Sequence, residues 1–153
     1  NDNVDLIINL QSDLPNIKPN SISKLEKLMR ESNSPIGTLA SKLTKDEIND
    51  ENVVNRTSET DLKENSFLKA KNFFRIKKDL KKEKIYHHVG IYCFQSSQLK
   101  KYVELGESRQ EKILKLEQIR LMGKIEIKVG YCDSNPLSID TLEDLKRIER
   151  EMS

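Results

Sequence analysis

The chain has little glycine, little cysteine and no long apolar run. Its five glycines are spread over 153 residues and never cluster, which excludes the glycine-rich loops that wrap nucleotide phosphates in many binding proteins. No segment approaches the ~18 to 20 consecutive apolar residues of a membrane-spanning helix. No signal-peptide pattern is present either. We therefore expect a cytoplasmic protein that does not contact the membrane.

Cysteine is too scarce for a disulfide framework or a zinc site. The two cysteines, Cys93 and Cys132, both fall inside predicted strands, where buried free thiols are expected in a reducing compartment. The Cys/His spacing of a zinc site and the nucleophile elbow of a hydrolase are also missing. These absences remove several common classes of enzyme and binding module.

The chain has no strong excess of charge of either sign, because it contains 27 basic and 25 acidic residues and its net charge is +2. Lysines gather mildly at residues 69–84, but Asp79 and Glu83 interrupt them and no aromatic stacking pattern accompanies them. This predicts a solvated surface loop and no nucleic-acid partner.

Strand and helix patterns alternate along the chain, which predicts an α/β fold with a mixed, mainly parallel sheet and flanking helices. We expect residues 1–153 to form a single domain, with a loop or mobile arm at 59–84. A turn or short helix is expected at 44–51 and a weak strand at 53–58. The clearest predicted strands are at 5–10, which is expected to be buried, and at 35–43, 85–95 and 124–131. The clearest predicted helices are at 21–31, 96–104, 108–122 and from Asp140 to Met152. A capping box at Ser108 and Glu111 begins the helix at 108–122.

Two aspartates are candidate metal ligands because each follows a strand-like segment. Asp13 ends the stretch "LIINLQSDLP", and Asp140 precedes the last predicted helix. If both loops meet at one edge of the sheet, the two carboxylates could hold Mg²⁺ together with substrate phosphates. The alternative is that Asp13 is a turn residue and Asp140 only a helix cap.

Two further groups could carry chemistry. His87 and His88 are adjacent in the strand at 85–95 and must point to opposite faces, so one could face a site. In the helix at 108–122, Glu117, Gln118 and Arg120 could line a polar pocket that suits hydroxyl and anionic groups. The alternative is a simple ion pair between Glu117 and Arg120.

A set of segments in a fixed order resembles the 3-deoxy-manno-octulosonate cytidylyltransferase (CMP-KDO synthetase) family. The segments are "NLQSDLP", "TLASKL", "YHHVGIYCF", "LEQIRLMGKIEI" and "SIDTLEDLKRIEREM". They cover nearly the whole chain and correspond to the C-terminal portion of that family. The "HVGIY" and "LEQIR" segments are the most specific of them.

The resemblance implies an enzyme with a nucleotidyltransferase-like sheet, a homodimer, and use of CTP and Mg²⁺ to activate the acid sugar KDO for lipopolysaccharide biosynthesis. It implies that Asp13 and Asp140 are the catalytic and metal-binding aspartates. It also implies that five residues bind the sugar substrate, namely Gln11, His88, Tyr92, Glu117 and Gln118.

The chain departs from the family in ways that leave alternatives open. The N-terminal strands and the basic nucleotide-binding loop are absent, and the first residue is Asn1, which suggests a fragment of a longer protein. Ser12 stands where the family usually has Gly, and Lys69 stands where it has Arg, a change that alters a bidentate site. A non-catalytic, dimerising or binding subunit is therefore one alternative. A cytidylyltransferase for another acid sugar is the other.

Overall fold

The chain forms a seven-stranded sheet with helices on its two faces. In the computed structural model, residues 4–44, 47, 54–58, 60–75 and 84–152 are described, with the backbone alone for 55–58. The strands are β1 (Leu6–Leu10), β2 (Ile36–Lys42), β3 (Asn55–Ser58), β4 (Phe67–Lys69), β5 (Asn72–Phe74), β6 (Lys84–Gln95) and β7 (Ile127–Tyr131). The helices are α1 (Pro19–Ser32), α2 (Ser96–Glu104), α3 (Arg109–Leu114) and α4 (Leu142–Met152), with a 3₁₀ turn at Glu117–Arg120.

The strand order confirms a mixed sheet with flanking helices but corrects the expected predominance of parallel pairs. The order is β4-β7-β2-β6-β3-β5, and β1 also pairs with β6. Of the six pairings in the described part of the chain, only that of β2 with β7 is parallel. The reason is topological: β1 and β2 point the same way on either side of α1, but β6 lies between them and pairs antiparallel with both.

Helix α1 forms where the sequence predicts it and covers one face of the sheet. Pro19 stands in its first turn, where proline is tolerated, and Asn33 ends it in a left-handed conformation at φ 49°. The helical spacing of Leu25, Leu28 and Met29 buries all three side chains. They pack against Leu39, Val89, Ile91, Cys93 and Cys132 from the sheet.

The opposite face carries the larger apolar cluster. Alternate residues of β6, such as Tyr92 and Phe94, point to this face because side chains alternate along a strand. Leu99 and Tyr102 of α2 and Leu121 after the 3₁₀ turn pack on the same cluster. β6 therefore belongs to both layers of the core, and its side chains connect them.

The described part of the expected loop or mobile arm at 59–84 contains two short strands of the sheet, β4 and β5. β4 pairs with β7 and β5 pairs with β3, and Phe73 is only 1% exposed. Aromatic residues spaced between lysines gave this segment an ambiguous pattern, and non-local pairing decides its structure. Most of the predicted turn at 44–51, the start of the weak strand at 53 and residues 76–83 lie outside the described residues.

The strand at the start of the chain is less buried than predicted. Leu6, Ile7 and Ile8 are half-buried, and Leu10 is exposed. Among the described strands, β1 pairs only with β6. No described strand therefore covers the other edge of β1.

The predicted helix at 108–122 is broken into two parts. The capping box at Ser108 and Glu111 is present, but Lys115 takes a left-handed conformation at φ 50° and ends α3. The chain then turns so that Leu116 is buried, while Ile113 remains 67% exposed. A continuous helix would have placed these two side chains on one face.

Both cysteines are free and buried, as predicted. Burial raises the pKa of each thiol to about 11, so neither is a reactive thiolate near neutral pH. Within the described ranges, none of the helices combines the length and the apolar character needed to cross a bilayer.

We expect Gly37→Ala to destabilise the fold. A Cβ at Gly37 would lie 2.6 Å from Met29 Sδ and 2.7 Å from Phe67 Cζ, and overpacking of this kind costs about 1–3 kcal/mol. Urea unfolding measures the loss. Lys42→Ala, at the exposed end of the same strand, is the control and should change the free energy of unfolding by less than about 0.5 kcal/mol. Equal stability of Gly37→Ala and the unmodified chain would contradict the packing of α1 on β2.

Candidate functional site

The direction of the strands brings the candidate residues to one edge of the sheet. β1, β2 and β7 all run the same way, because β1 and β2 are each antiparallel to β6 and β7 is parallel to β2. Their carboxyl ends therefore lie at the same edge, where β6 begins. Asp13 follows β1, and Asp140 follows β7.

Hydrogen bonds join the two loops that carry these aspartates. The Ile139 N–H donates to the Asp13 carbonyl oxygen at 3.0 Å, and the Ser138 hydroxyl donates to Asp13 Oδ2 at 3.3 Å across 125 positions of sequence. Asp140 directly follows Ile139, so the two aspartates are close neighbours in space. A further contact joins the same loops, from the Leu137 N–H to Asn16 Oδ1. The hydroxyls of Ser21 in α1 and Ser134 are also hydrogen-bonded.

A large open pocket lies beside this junction. Its volume is about 1030 Å³, enough for a substrate larger than a single sugar. Six of the seven residues predicted for the site line it: Gln11, Asp13, His88, Glu117, Gln118 and Asp140. Tyr92 does not line this pocket; it lines a small cavity behind it, which Glu117 and Gln118 also line.

The carboxylate of Asp13 has the features of a cation ligand. Its Oδ2 accepts the Ser138 hydroxyl, but its Oδ1 is buried without a hydrogen-bond partner, an arrangement that a bound cation would relieve. No group of three or more His, Cys, Asp or Glu side chains in the described part of the chain could hold a metal ion. Two carboxylates nevertheless fit Mg²⁺, which commonly takes its remaining ligands from water and substrate phosphates.

Asp140 is not the cap of the last helix. Thr141 and Asp144 cap α4 reciprocally: the Thr141 N–H donates to Asp144 Oδ2 at 2.8 Å, and the Asp144 N–H donates to Thr141 Oγ1 at 3.2 Å. The predicted alternative of Asp140 as a cap is therefore wrong. Its exposed carboxylate remains available at the pocket, and its role as a metal ligand stays a prediction.

Gln11 approaches the sheet at a glycine. Along one edge of β6, the first residues of the strand pair with β3 and the last residues pair with β1. Gly90 lies between these two paired segments. A Cβ at Gly90 would lie 2.5 Å from Gln11 Oε1. The missing side chain lets Gln11 reach Glu117, to whose Oε1 it donates at 3.4 Å.

His88 is held by a hydroxyl on the neighbouring strand. Thr38 Oγ1 lies 2.7 Å from the Ile91 carbonyl oxygen and 2.9 Å from His88 Nε2. A hydroxyl has one proton and a carbonyl only accepts, so Thr38 donates to Ile91 and accepts from the His88 Nε2–H. His88 Nε2 therefore carries a proton. His87 points to the other face, as its position in the strand predicts.

Glu117 and Gln118 form the wall between the pocket and the small cavity. The Tyr92 hydroxyl and Gln118 Oε1 are buried without hydrogen-bond partners, and both face that cavity. Burial raises the pKa of Tyr92 well above its ordinary value, and the charge of Glu117 adds to this. Burial also raises the pKa of Glu117 itself, although Arg120 opposes the shift.

Arg120 is not paired with Glu117. It donates from Nε to Glu111 Oε2 at 2.9 Å and from Nη2 to Glu111 Oε1, and it lines neither cavity. The expected ion pair between Glu117 and Arg120 is therefore wrong, because α3 ends early and the turn brings Arg120 back to Glu111. Lys69 lies on β4, 4.0 Å from Glu126, and lines neither cavity.

Sequence reasoning missed a polar network at the far end of the pocket. Glu47 accepts from the Thr44 N–H at 2.8 Å and from Asn135 Nδ2, and Ser41 donates to Asn135 Oδ1 at 3.1 Å. His87 Nδ1 lies 2.9 Å from Glu47 Oε1 without the alignment of a hydrogen bond. Burial would raise the pKa of Glu47, but the contacts with His87, Thr44 and Asn135 outweigh it and lower the pKa to about 2. The sequence around Glu47 is uniformly polar and gave no signal.

The pocket also has basic residues that the sequence did not indicate. The side chains of Arg75, Lys112, Lys115 and Arg147 line it. Lys112 lies 3.1 Å from Glu107, and Arg147 lies 3.5 Å from Glu151. The pocket is therefore lined by both acidic and basic side chains.

Comparison with known proteins identifies a family that matches most of the chain. The sequence profile of the family described as cytidylyltransferase matches residues 1–128. The 3-deoxy-manno-octulosonate cytidylyltransferase of Bartonella quintana is 38% identical over 94% of this chain and 59% of that protein. The enzyme of the same name from Brucella ovis is 34% identical over 94% of this chain and 58% of that protein. The chain thus spans less than two thirds of the length of these curated relatives.

A solved structure agrees with these relatives. It is described as CMP:2-keto-3-deoxy-manno-octonic acid synthetase complexed with CTP, and it superimposes with a TM-score of 0.82 at 28% identity. The match covers 98% of this chain and 62% of that one. The nucleotidyltransferase-like sheet expected from the sequence is therefore confirmed.

We expect Glu47→Gln to remove a contribution to stability that depends on pH. The pKa of Glu47 is about 2 in the folded protein against an ordinary value of 4.5, so its charge stabilises the fold fully above pH ~4.5 and progressively less as the pH falls toward 2. The difference in unfolding free energy between the unmodified chain and Glu47→Gln should shrink over that range in urea unfolding.

The control is Glu26→Gln on the exposed face of α1, which should show no such trend. A stability difference for Glu47→Gln that stays constant with pH would contradict the role of the charged carboxylate.

Proposed function

Because the chain belongs to the cytidylyltransferase family, we propose that the protein, at the full length of its relatives, transfers a cytidylyl group from CTP to KDO and releases pyrophosphate. The observation that carries this proposal is the convergence of six residues matched to the family on one pocket beside the joined aspartate loops. The names of the relatives support KDO as the acceptor, and the solved structure supports CTP as the donor.

The proposed reaction is a displacement at phosphorus. The anomeric hydroxyl oxygen of KDO forms a bond to the α-phosphorus of CTP, and the bond from that phosphorus to the bridging oxygen breaks. Pyrophosphate leaves with the electron pair, and the hydroxyl proton passes to water. Such a step asks the protein mainly to position the reactants and to stabilise charge.

Asp13 and Asp140 would hold Mg²⁺ in this proposal, and the unpartnered Asp13 Oδ1 supports the assignment. The bound ion would neutralise charge on the triphosphate during the transfer. Basic side chains such as Lys115 at the rim add to the positive potential near the same phosphates.

The sugar would lie against Gln11, His88, Glu117 and Gln118. These side chains offer amide donors, carboxylate and amide acceptors and one imidazole, a combination that suits a polyhydroxylated acid. Tyr92 would act from behind this wall, through the small cavity that it shares with Glu117 and Gln118. Other acid sugars carry similar hydroxyls, so KDO itself rests on the relatives. A homodimer and a cytoplasmic location also rest on the family resemblance.

A pyrophosphate-release assay with CTP, KDO and Mg²⁺ tests the proposal. We expect the 153-residue chain to be inactive, because the described residues hold no glycine-rich loop to cradle a triphosphate, and we expect a chain extended at its N-terminus to the length of the relatives to be active. In the extended protein, Asp13→Asn should abolish turnover, while Asp133→Asn, an exposed aspartate that lines neither cavity, should not. An extended protein that folds but stays inactive would favour a non-catalytic binding subunit. Activity of the short chain would show that the N-terminal part is dispensable.

We expect Gly90→Ala to weaken use of the sugar more than it weakens the fold. The added methyl group would meet the mobile end of Gln11, so Gln11 must swing away from Glu117 and leave a substrate hydroxyl without a partner. The KM for KDO should rise by about fivefold to tenfold, with the KM for CTP and the melting temperature little changed. Gly130→Ala, where the methyl group would meet Leu28 in the core at 2.5 Å, should lower stability and leave the ratio of the two KM values unaltered. An equal rise in both KM values for Gly90→Ala would point to a general disturbance of the site.

A further inference from the structure

A buried ion pair lies beside Glu117 and Gln118, with its carboxylate at the pocket lining, and the proposed reaction does not use it. Arg120 binds Glu111 through two parallel hydrogen bonds, and the side chains are only 14% and 9% exposed. The hydrogen bonds lower the pKa of Glu111, so the pair is charged at neutral pH. A planar guanidinium that binds a carboxylate in this way fixes the direction of both side chains.

Both partners have a second anchor. Glu111 also accepts from the Ser108 N–H at 3.1 Å as part of the capping box of α3. The guanidinium of Arg120 lies 4.7 Å from the centre of the Tyr102 ring, and that ring lies 5.7 Å from the ring of Phe94 in β6. The pair therefore ties the 3₁₀ turn to α3, to α2 and, through Tyr102, to the central strand.

The 3₁₀ turn depends on such anchors because it has little stability of its own. It has four residues, from Glu117 to Arg120, and a single turn gains too few backbone hydrogen bonds to fix its orientation. The left-handed Lys115 separates it from α3, so helical continuity cannot hold it. Glu117 and Gln118 lie at one end of this turn and Arg120 at the other.

We propose that Glu111 and Arg120 are positioning residues, which set the orientation of Glu117 and Gln118 toward the acid sugar. This inference rests on the proposed function of the same pocket. Glu111 lines the pocket, but its two carboxylate oxygens are already bound by Arg120 and the Ser108 N–H. Arg120 lines neither cavity, so the pair acts on the substrate through its neighbours. A buried ion pair also contributes little net stability compared with apolar side chains of the same size, so a purely stabilising role explains it poorly.

Three substitutions separate positioning from general stability. Arg120→Lys keeps the positive charge but loses the planar, two-bond contact. Glu111→Gln keeps the capping box, in which Gln replaces Glu at this position, but removes the charge that orients Arg120. Ser108→Ala is the matched control, because it removes the cap of the same helix at a cost of about 0.5–2 kcal/mol and leaves both members of the pair in place.

The first readout is kinetic and uses the extended, active protein. Arg120→Lys and Glu111→Gln should each raise the KM for KDO about tenfold and change the KM for CTP less than about twofold. Ser108→Ala should lower the melting temperature without altering the ratio of the two KM values. Equal effects on both substrates, or a Ser108→Ala variant that matches the other two, would overturn the proposal.

The second readout does not depend on the reaction. Hydrogen exchange of the 153-residue chain should accelerate at the amides of Ile119 and Leu121, which donate to Leu116 and Gln118 within the turn, when Arg120 is replaced by Lys. Exchange in β2 and β6 should stay unchanged. Uniform acceleration over the whole chain, or none in the turn, would overturn the positioning role even if KDO proved to be the wrong sugar. Failure of the unmodified extended protein to use KDO would instead reject the proposed function alone.

Discussion

The candidate site depends on one backbone hydrogen bond, from the Ile139 N–H to the carbonyl oxygen of Asp13. This bond joins loops from opposite ends of the chain, and the Ser138 hydroxyl reinforces it at the Asp13 carboxylate. It opposes the repulsion between the two neighbouring carboxylates. The bond holds the backbone while leaving Asp13 Oδ1 and the Asp140 carboxylate uncommitted. Geometry is thus fixed by uncharged groups, and the charged groups remain available for a cation.

The long strand β6 supplies the second constraint, because it carries site residues on a core element. His88 and Tyr92 stand in the same row of side chains, with Phe73 at one end of the row and Phe94 at the other, and neighbouring ring centres are 5.2–6.1 Å apart. Any movement of a site residue in this row must displace a buried aromatic ring. Only Gly90 interrupts the row, and Gln11 occupies the space that its side chain would fill. The side of the pocket that β6 forms is therefore held in place by packed aromatic rings.

Local sequence patterns predicted the helices and strands whose formation depends mainly on residues close together in the chain. The spacing of Leu25, Leu28 and Met29 predicted α1, and the β-branched and aromatic run predicted β6 with its two histidines on opposite faces. The direction of pairing was not predictable, because β6 enters the sheet between β1 and β2 from far along the chain. The break at Lys115 was missed because lysine rarely adopts a left-handed conformation and the apolar spacing continued past it. The N-cap of α4 is Thr141, one residue after the predicted Asp140. A sequence pattern does not locate a helix boundary to within one residue.

The candidate site shows the same difference between residues with a sequence signal and residues without one. The roles predicted for Asp13, His88 and Glu117 come from the family resemblance, whereas Glu47 and the basic residues of the pocket have no local sequence signature and come together only in the folded chain. Lys112, Lys115 and Arg147 are exposed, where a chain can change them without loss of the core, whereas Glu47 is largely buried. Beside the pocket, Glu111 and Arg120 are largely buried, and the two hydrogen bonds between them show how charge can be kept in the interior. The inner wall of the pocket therefore depends on the packed interior, while charged side chains such as Lys112 and Lys115 stand on its exposed rim.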